Sequence, residues 1–130
     1  MLDKVEYWLN LADEDVSVAE LLLSGKKNLQ AGFFCHLIAE KALKAIVANF
    51  TNAIPPKTHD LTKLAEQGGV LTDLSESQLS LIDELNPLNI EARYPDYKAN
   101  ITSILTDEKI ARIFMETEEF LCWIKQKLGK

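Results

Sequence analysis

The stretch from Leu29 to Asn52 is apolar on nearly every side of a helix. Phe33, Phe34, Leu37, Ile38, Ala42, Ala45 and Ile46 form one face, and Cys35, Ala39, Leu43, Val47 and Phe50 fill much of the rest. Only His36, Glu40 and Lys44 interrupt it, as a narrow polar stripe at i, i+4 and i+8, with Glu40 and Lys44 in the order that favours a helical ion pair. A helix apolar nearly all round must be covered nearly all round. The segment is therefore either the central helix of a bundle or a dimer seam. Its charged and polar interruptions exclude a membrane span.

The flanking segments supply helices to cover it. Leu2, Val5, Leu9, Ala12, Val16, Ala19 and Leu23 recur at spacings of three and four, giving a helix over about residues 2–24 with one apolar seam and a stop at Gly25. Pro55-Pro56 ends the second helix. Thr58 or Asp60 can cap a short third one carrying Leu61, Leu64 and Ala65, closed by Gly68-Gly69. Ser75-Glu76-Ser77-Gln78 has the capping-box spacing and opens a fourth helix with Leu79, Ile82 and Leu85 inward. The last helix starts at Thr106, with Asp107 and Glu108 in its positive first turn and Lys125, Lys127 and Lys130 toward its C-terminus. No segment alternates as a strand would. The fold class expected is all-α, an up-and-down bundle of three long and two short helices.

A chain of 130 residues holds one domain, 1–130, with enough core to need neither disulfides nor metal. Cys35 and Cys122 sit inside apolar helical patterns, which points to buried thiols in a reducing compartment. The spacing of the cysteines with His36 and His59 matches no zinc pattern. Met1 to Glu6 does not read as a signal peptide, so a cytoplasmic location is expected. A net charge of −6 lacks the basic field of a nonspecific DNA binder, so any RNA or nucleotide contact needs a local site. Asp13, Glu14 and Asp15 in the first helix, like Glu116, Glu118 and Glu119 in the last, are expected to be solvated surface. Trp8 and Trp123 read as core or interface anchors.

Two elements carry chemistry. Pro55-Pro56-Lys57-Thr58-His59-Asp60-Leu61 lies between the second and third helices, and Glu91-Ala92-Arg93-Tyr94-Pro95-Asp96 follows the fourth. Each sets titratable or anion-binding groups beside a rigid proline at a helix end. Arg93 offers a planar five-donor fork for a phosphate, and His59 can exchange a proton near neutral pH. The bland alternatives are that Arg93 caps the fourth helix or pairs with Glu91 or Asp96, and that His59 satisfies backbone groups at the start of the third. His36 is expected to make a surface or interface hydrogen bond.

These two elements, with Tyr7-Trp8-Leu9, Ala12, Asp15, Ala19-Glu20-Leu21-Leu22, Phe33-Phe34 and Glu40-Lys41-Ala42-Leu43-Lys44-Ala45, resemble the HEPN family, nucleotide-binding domains of higher eukaryotes and prokaryotes. The resemblance runs from Tyr7 to the last helix. It implies a four-helix up-and-down core, usually a homodimer, and frequent pairing with a minimal nucleotidyltransferase in toxin–antitoxin-like systems. Many family members are metal-independent endoribonucleases with an Arg followed four to six residues on by a His. Arg93 matches the first position, but Tyr97, Lys98, Ala99 and Asn100 occupy the positions where that His is sought. Some relatives carry a tyrosine just past that His which the partner enzyme modifies with AMP. Without the His, neither Tyr94 nor Tyr97 takes that role by position.

The expectation is a dimeric, non-catalytic domain without cofactor or metal. It binds a nucleotide or phosphate ligand, a nucleotidyltransferase, or both. Arg93 and Lys57 hold phosphate, Tyr94 stacks on base or ribose, His59 orients the ligand, and Asp96 lies beside them. Two alternatives stand beside it: a divergent ribonuclease in which His59 replaces the absent His alongside Arg93, and a purely structural partner that assembles through the second helix.

Overall fold

The computed structural model describes residues 3–91 and 104–130. Five α-helices form among them: α1 (Lys4–Ser24), α2 (Asn28–Thr51), α3 (Leu61–Gln67), α4 (Glu76–Glu91) and α5 (Asp107–Lys127), with a 3-10 turn at Leu71–Asp73. No strand occurs among the described residues. Local chemistry sets most of the ends. Asp3 caps α1 by accepting from the Glu6 amide, so the helix begins at Lys4 rather than near residue 2. Asp60, not Thr58, caps α3 through the Lys63 amide. The box at α4 closes as its spacing requires, Ser75 Oγ accepting from the Gln78 amide and Gln78 Oε1 from the Ser75 amide. Thr106 caps α5.

Polar contacts between helices fix their directions. Lys4 Nζ donates to the Asn52 carbonyl at 3.2 Å, which brings the start of α1 to the end of α2, antiparallel across the turn at residues 25–27. Lys125–Asp13 and Lys130–Glu6 pairs run α5 antiparallel to α1. Lys26 and Asn28 both reach Asp107, so α2 and α5 start together, and these donors hold the Asp107 carboxyl below the usual carboxylate range. Arg112 spans to Glu84 across α4/α5 and to Glu116 one turn on, and both carboxylates hold its guanidinium protonated.

Of the two roles open to the apolar segment, the central one is realised. α2 packs on α1, α3, α4 and α5, and its apolar positions Leu29, Ala31, Cys35, Ile38, Ala42, Leu43, Ile46 and Val47 are buried within the single chain. Phe33, Phe34 and Leu37 of the same helix are only half-buried. Phe50, at its last turn, stays exposed. Gly32 is small where α2 crosses the other helices, and an added Cβ there would lie 3.1 Å from a Leu105 methyl and 3.3 Å from a Leu88 methyl. No described helix is long and apolar enough to cross a membrane.

The two cysteines part company. Cys35 is fully buried, and burial pushes its thiol up to about 12, whereas Cys122 lies exposed on the outer face of α5. The expectation of two buried thiols therefore fails at Cys122, whose apolar neighbours Phe120, Leu121 and Ile124 turn inward and leave it outward. At pH 8 a thiol reagent is expected to modify one group per native chain, quickly, and the second only on unfolding. Two fast groups in the native protein would contradict the burial of Cys35.

Candidate functional site

Residues one turn apart on α2 build the site. His36, Glu40 and Lys44 share one side of the helix, and all three are buried, so the hydrogen bond of His36 is made inside the fold rather than at a surface. They are 0%, 4% and 7% exposed. The reason lies in residues 52–60, which fold back over the stripe. The His59 carbonyl accepts from His36 Nε2 at 2.9 Å, and His59 Nδ1 donates to Glu40 Oε1 at 2.8 Å. Glu40 also accepts from Lys44 Nζ at 3.1 Å on its other oxygen, and its first oxygen lies 3.7 Å from His36 Nδ1. The Lys44 ammonium sits 5.3 Å from the centroid of the Trp8 ring on α1.

This network fixes tautomers. A carbonyl only accepts, so His36 carries its proton on Nε2. A carboxylate only accepts, so His59 carries one on Nδ1. In neutral His59 the lone pair is then left on Nε2. The His59 side chain is 51% exposed and Glu40 only 5%, so a buried carboxylate orients an imidazole whose far side meets solvent. A histidine held in this way can accept a proton or a hydrogen bond at Nε2. Its role is thus not to satisfy the start of α3, where Asp60 does the capping.

Beside His59 an open cleft of about 490 Å³ is lined by His59, Asp60, Asn86, Pro87 and Asn89. Three of these come from α4, which no sequence argument singled out. Asn86 staples α4 to the first turn of α3, accepting from the Leu61 amide at 2.9 Å and donating to Thr62 Oγ1 at 3.3 Å. Pro87 sits inside the helix and has no N–H for the Asp83 carbonyl. Asn89 is 3% exposed, and its Oδ1 has no hydrogen-bond partner among the described residues. An orphaned buried amide oxygen costs about 1–3 kcal/mol. The only sequence trace of this wall is two asparagines, poor helix formers, three residues apart on either side of a mid-helix proline.

Of the sequence-chosen residues, His59 lines the cleft and Lys57 is exposed two residues upstream on the same connection. Arg93, Tyr94 and Asp96 lie outside the described residues, as do Tyr97 and the positions that follow it. Asp15, expected on the surface, is buried and paired with Lys41 of α2. No group of three or more His, Cys, Asp or Glu side chains is arranged to hold a metal ion among the described residues.

Neither the curated proteins nor the solved structures provide a match. The family model of the HEPN domain, however, matches residues 5–127, from the first turn of α1 to the last of α5. With a match over nearly its whole length, and with the all-helical bundle described above, the chain belongs to the HEPN domain family.

Proposed function

We propose that this HEPN chain acts as a non-catalytic, dimeric binding domain for a nucleotide or phosphate ligand, and as a partner of a minimal nucleotidyltransferase in a toxin–antitoxin-like pair. The observation that carries the reading is the His59 imidazole, oriented by buried Glu40 at the edge of a 490 Å³ cleft. A cleft of that volume suits a mononucleotide. In this reading Arg93 and Lys57 hold the phosphate, Tyr94 stacks on base or ribose, Asp96 lies at the same mouth, and His59 orients the ligand. The chain has no histidine beyond His59, so a ribonuclease pair of the Arg-then-His kind has no second member downstream of Arg93.

A second reading has a specific observation in its favour. The Glu40–His59 pair leaves a proton-accepting nitrogen toward solvent, which is what a metal-independent phosphodiesterase needs from its general base. One set of proteins separates the two. Native mass spectrometry of the wild type is expected to give twice the chain mass with a nucleotide retained, and Arg93→Ala and His59→Ala to lose that nucleotide. Structured RNA with a chelator present is expected to stay intact. Cleavage by the wild type that both substitutions abolish would replace binding with catalysis. Single-chain mass at micromolar protein would remove the dimer.

A further inference from the structure

His59 is held at two atoms. Its carbonyl accepts from His36 Nε2 at 2.9 Å, which pins the backbone, and its Nδ1 donates to Glu40 Oε1 at 2.8 Å, which pins the ring. Both partners stand on α2 and are buried, at 0% and 4% exposed. The His59 side chain is itself 51% exposed, and its Nε2 has no hydrogen-bond partner among the described residues. An exposed side chain ordinarily turns among its rotamers. One held by a buried carboxylate is preorganised instead. The cap of α3 is Asp60, so the start of that helix does not call for an imidazole.

What this leaves is a nitrogen lone pair on the far side of the ring from Glu40, in a residue that lines an open cleft of about 490 Å³. Neutral imidazole nitrogen is a nucleophile. Bonding at Nε2 puts positive charge on the ring, and a carboxylate already paired with Nδ1–H neutralises that charge where it forms. No proton has to leave Nε2, because the tautomer keeps the ring's proton on Nδ1. The product narrows the electrophile. An acyl group on imidazole is lost quickly to water, whereas a phosphoryl group carries negative charge that repels hydroxide and so persists. Phosphorus is therefore the electrophile with which this nitrogen makes a lasting bond.

We propose that His59 Nε2 is a phosphoryl acceptor, a modification site served by a small donor of the phosphoramidate or acyl phosphate class, with Glu40 as its positioning residue. The Nε2 lone pair forms the N–P bond. The bond from phosphorus to the leaving group breaks, and its electron pair departs with the amine or the carboxylate. The ring keeps its Nδ1–H on Glu40 throughout. Asp60 lines the same cleft, and its carboxylate repels an anionic donor, so it slows the step. The proposal goes beyond ligand binding and does not rest on the nucleotide reading.

The test is reaction of the full chain with potassium phosphoramidate at pH 8, read by intact mass before and after acid, which cleaves an N–P bond and spares a phosphate ester. One phosphoryl group per chain is expected, lost in acid and absent from His59→Gln. A capped peptide of residues 55–61 carries the same histidine without Glu40, and it is expected to react roughly ten-fold more slowly than the folded chain. Glu40→Gln still accepts from Nδ1 but carries no charge, and it is expected to fall toward the peptide's rate with its helical circular dichroism retained. Asp60→Asn keeps the cap of α3 and is expected to react faster than the wild type. A peptide as fast as the folded chain would overturn the proposal and leave His59 an ordinary exposed histidine. So would no adduct, an adduct that persists in His59→Gln, or a folded Glu40→Gln as fast as the wild type. Should Glu40→Gln fail to fold, the comparison with the peptide decides.

Discussion

Glu40→Ala is expected to lower the unfolding free energy by about 3–5 kcal/mol, the range for removing one member of a buried ion pair. For a domain of this size that is a fall in melting temperature of roughly 10 °C or more. Glu40 is the single acceptor on which His59 and Lys44 converge, and it is 4% exposed. Its loss leaves the Lys44 ammonium, 7% exposed, with the Trp8 ring as its only remaining described neighbour of opposite character. It also frees His59 and with it the connection that covers His36. Urea unfolding followed by circular dichroism measures the loss as a shift in midpoint at constant slope. Glu40→Leu combined with Lys44→Met should recover most of it, because a buried pair replaced by apolar side chains of similar volume is often no less stable. A loss below about 1 kcal/mol in the single variant would mean that water reaches the network, as at exposed ion pairs.

That network marks where the sequence stopped being legible. The helices themselves were written locally: the seam from Leu9 through Ala19, the all-round apolarity of α2, the Ser75–Gln78 box and the Thr106 cap each depend on residues a few positions apart. The fate of a polar stripe on α2 does not. His36, Glu40 and Lys44 show helical spacing whether they face water or protein, and only the path of residues 52–60 decides which. Asp15 repeats the case, since its burial depends on Lys41, which is 26 positions away in sequence. The amphipathic pattern of α5 was readable, yet it could not tell that Cys122 points outward among inward neighbours. At the site, His59 was legible because a histidine is a poor helix cap, so its place at the start of α3 needs another reason. Asn89 was not, because an asparagine is orphaned only by what surrounds it, and its cleft is shared with His59 and Asp60, about thirty positions away in sequence.

Glu118 illustrates the opposite limit of the bundle. It faces Glu20 across the α1/α5 seam, and desolvation, then the charge of Glu20, raise its carboxyl above the usual range. A raised carboxyl binds protons more tightly in the folded chain than in the unfolded one, so this pair opposes stability as pH rises through that range. The opposition is offset along the same seam by Lys125–Asp13 and Lys130–Glu6, both surface pairs of modest worth. The α1/α5 contact therefore depends on apolar packing rather than on its charges.

Phe120 is where that dependence is most exposed to test. It is the largest fully buried side chain among the described residues, 2% exposed, and its ring stacks on Trp123 with centroids 6.0 Å apart and planes 22° from parallel. Phe120→Ala is expected to destabilise by about 3–5 kcal/mol, combining lost apolar transfer with the cavity left behind. Met115, five residues earlier on the same helix, is 53% exposed, and Met115→Ala should stay within about 0.5 kcal/mol of wild type. The contrast removes helix propensity as an explanation, because both variants place the same residue in the same helix. Tryptophan fluorescence gives the second readout: Trp123 loses its stacking partner in Phe120→Ala, so its native emission should shift while that of Met115→Ala does not. Equal, small effects from the two substitutions would mean that α5 is held by its ion pairs after all, and that raising the salt concentration, which weakens exposed pairs, should then loosen it.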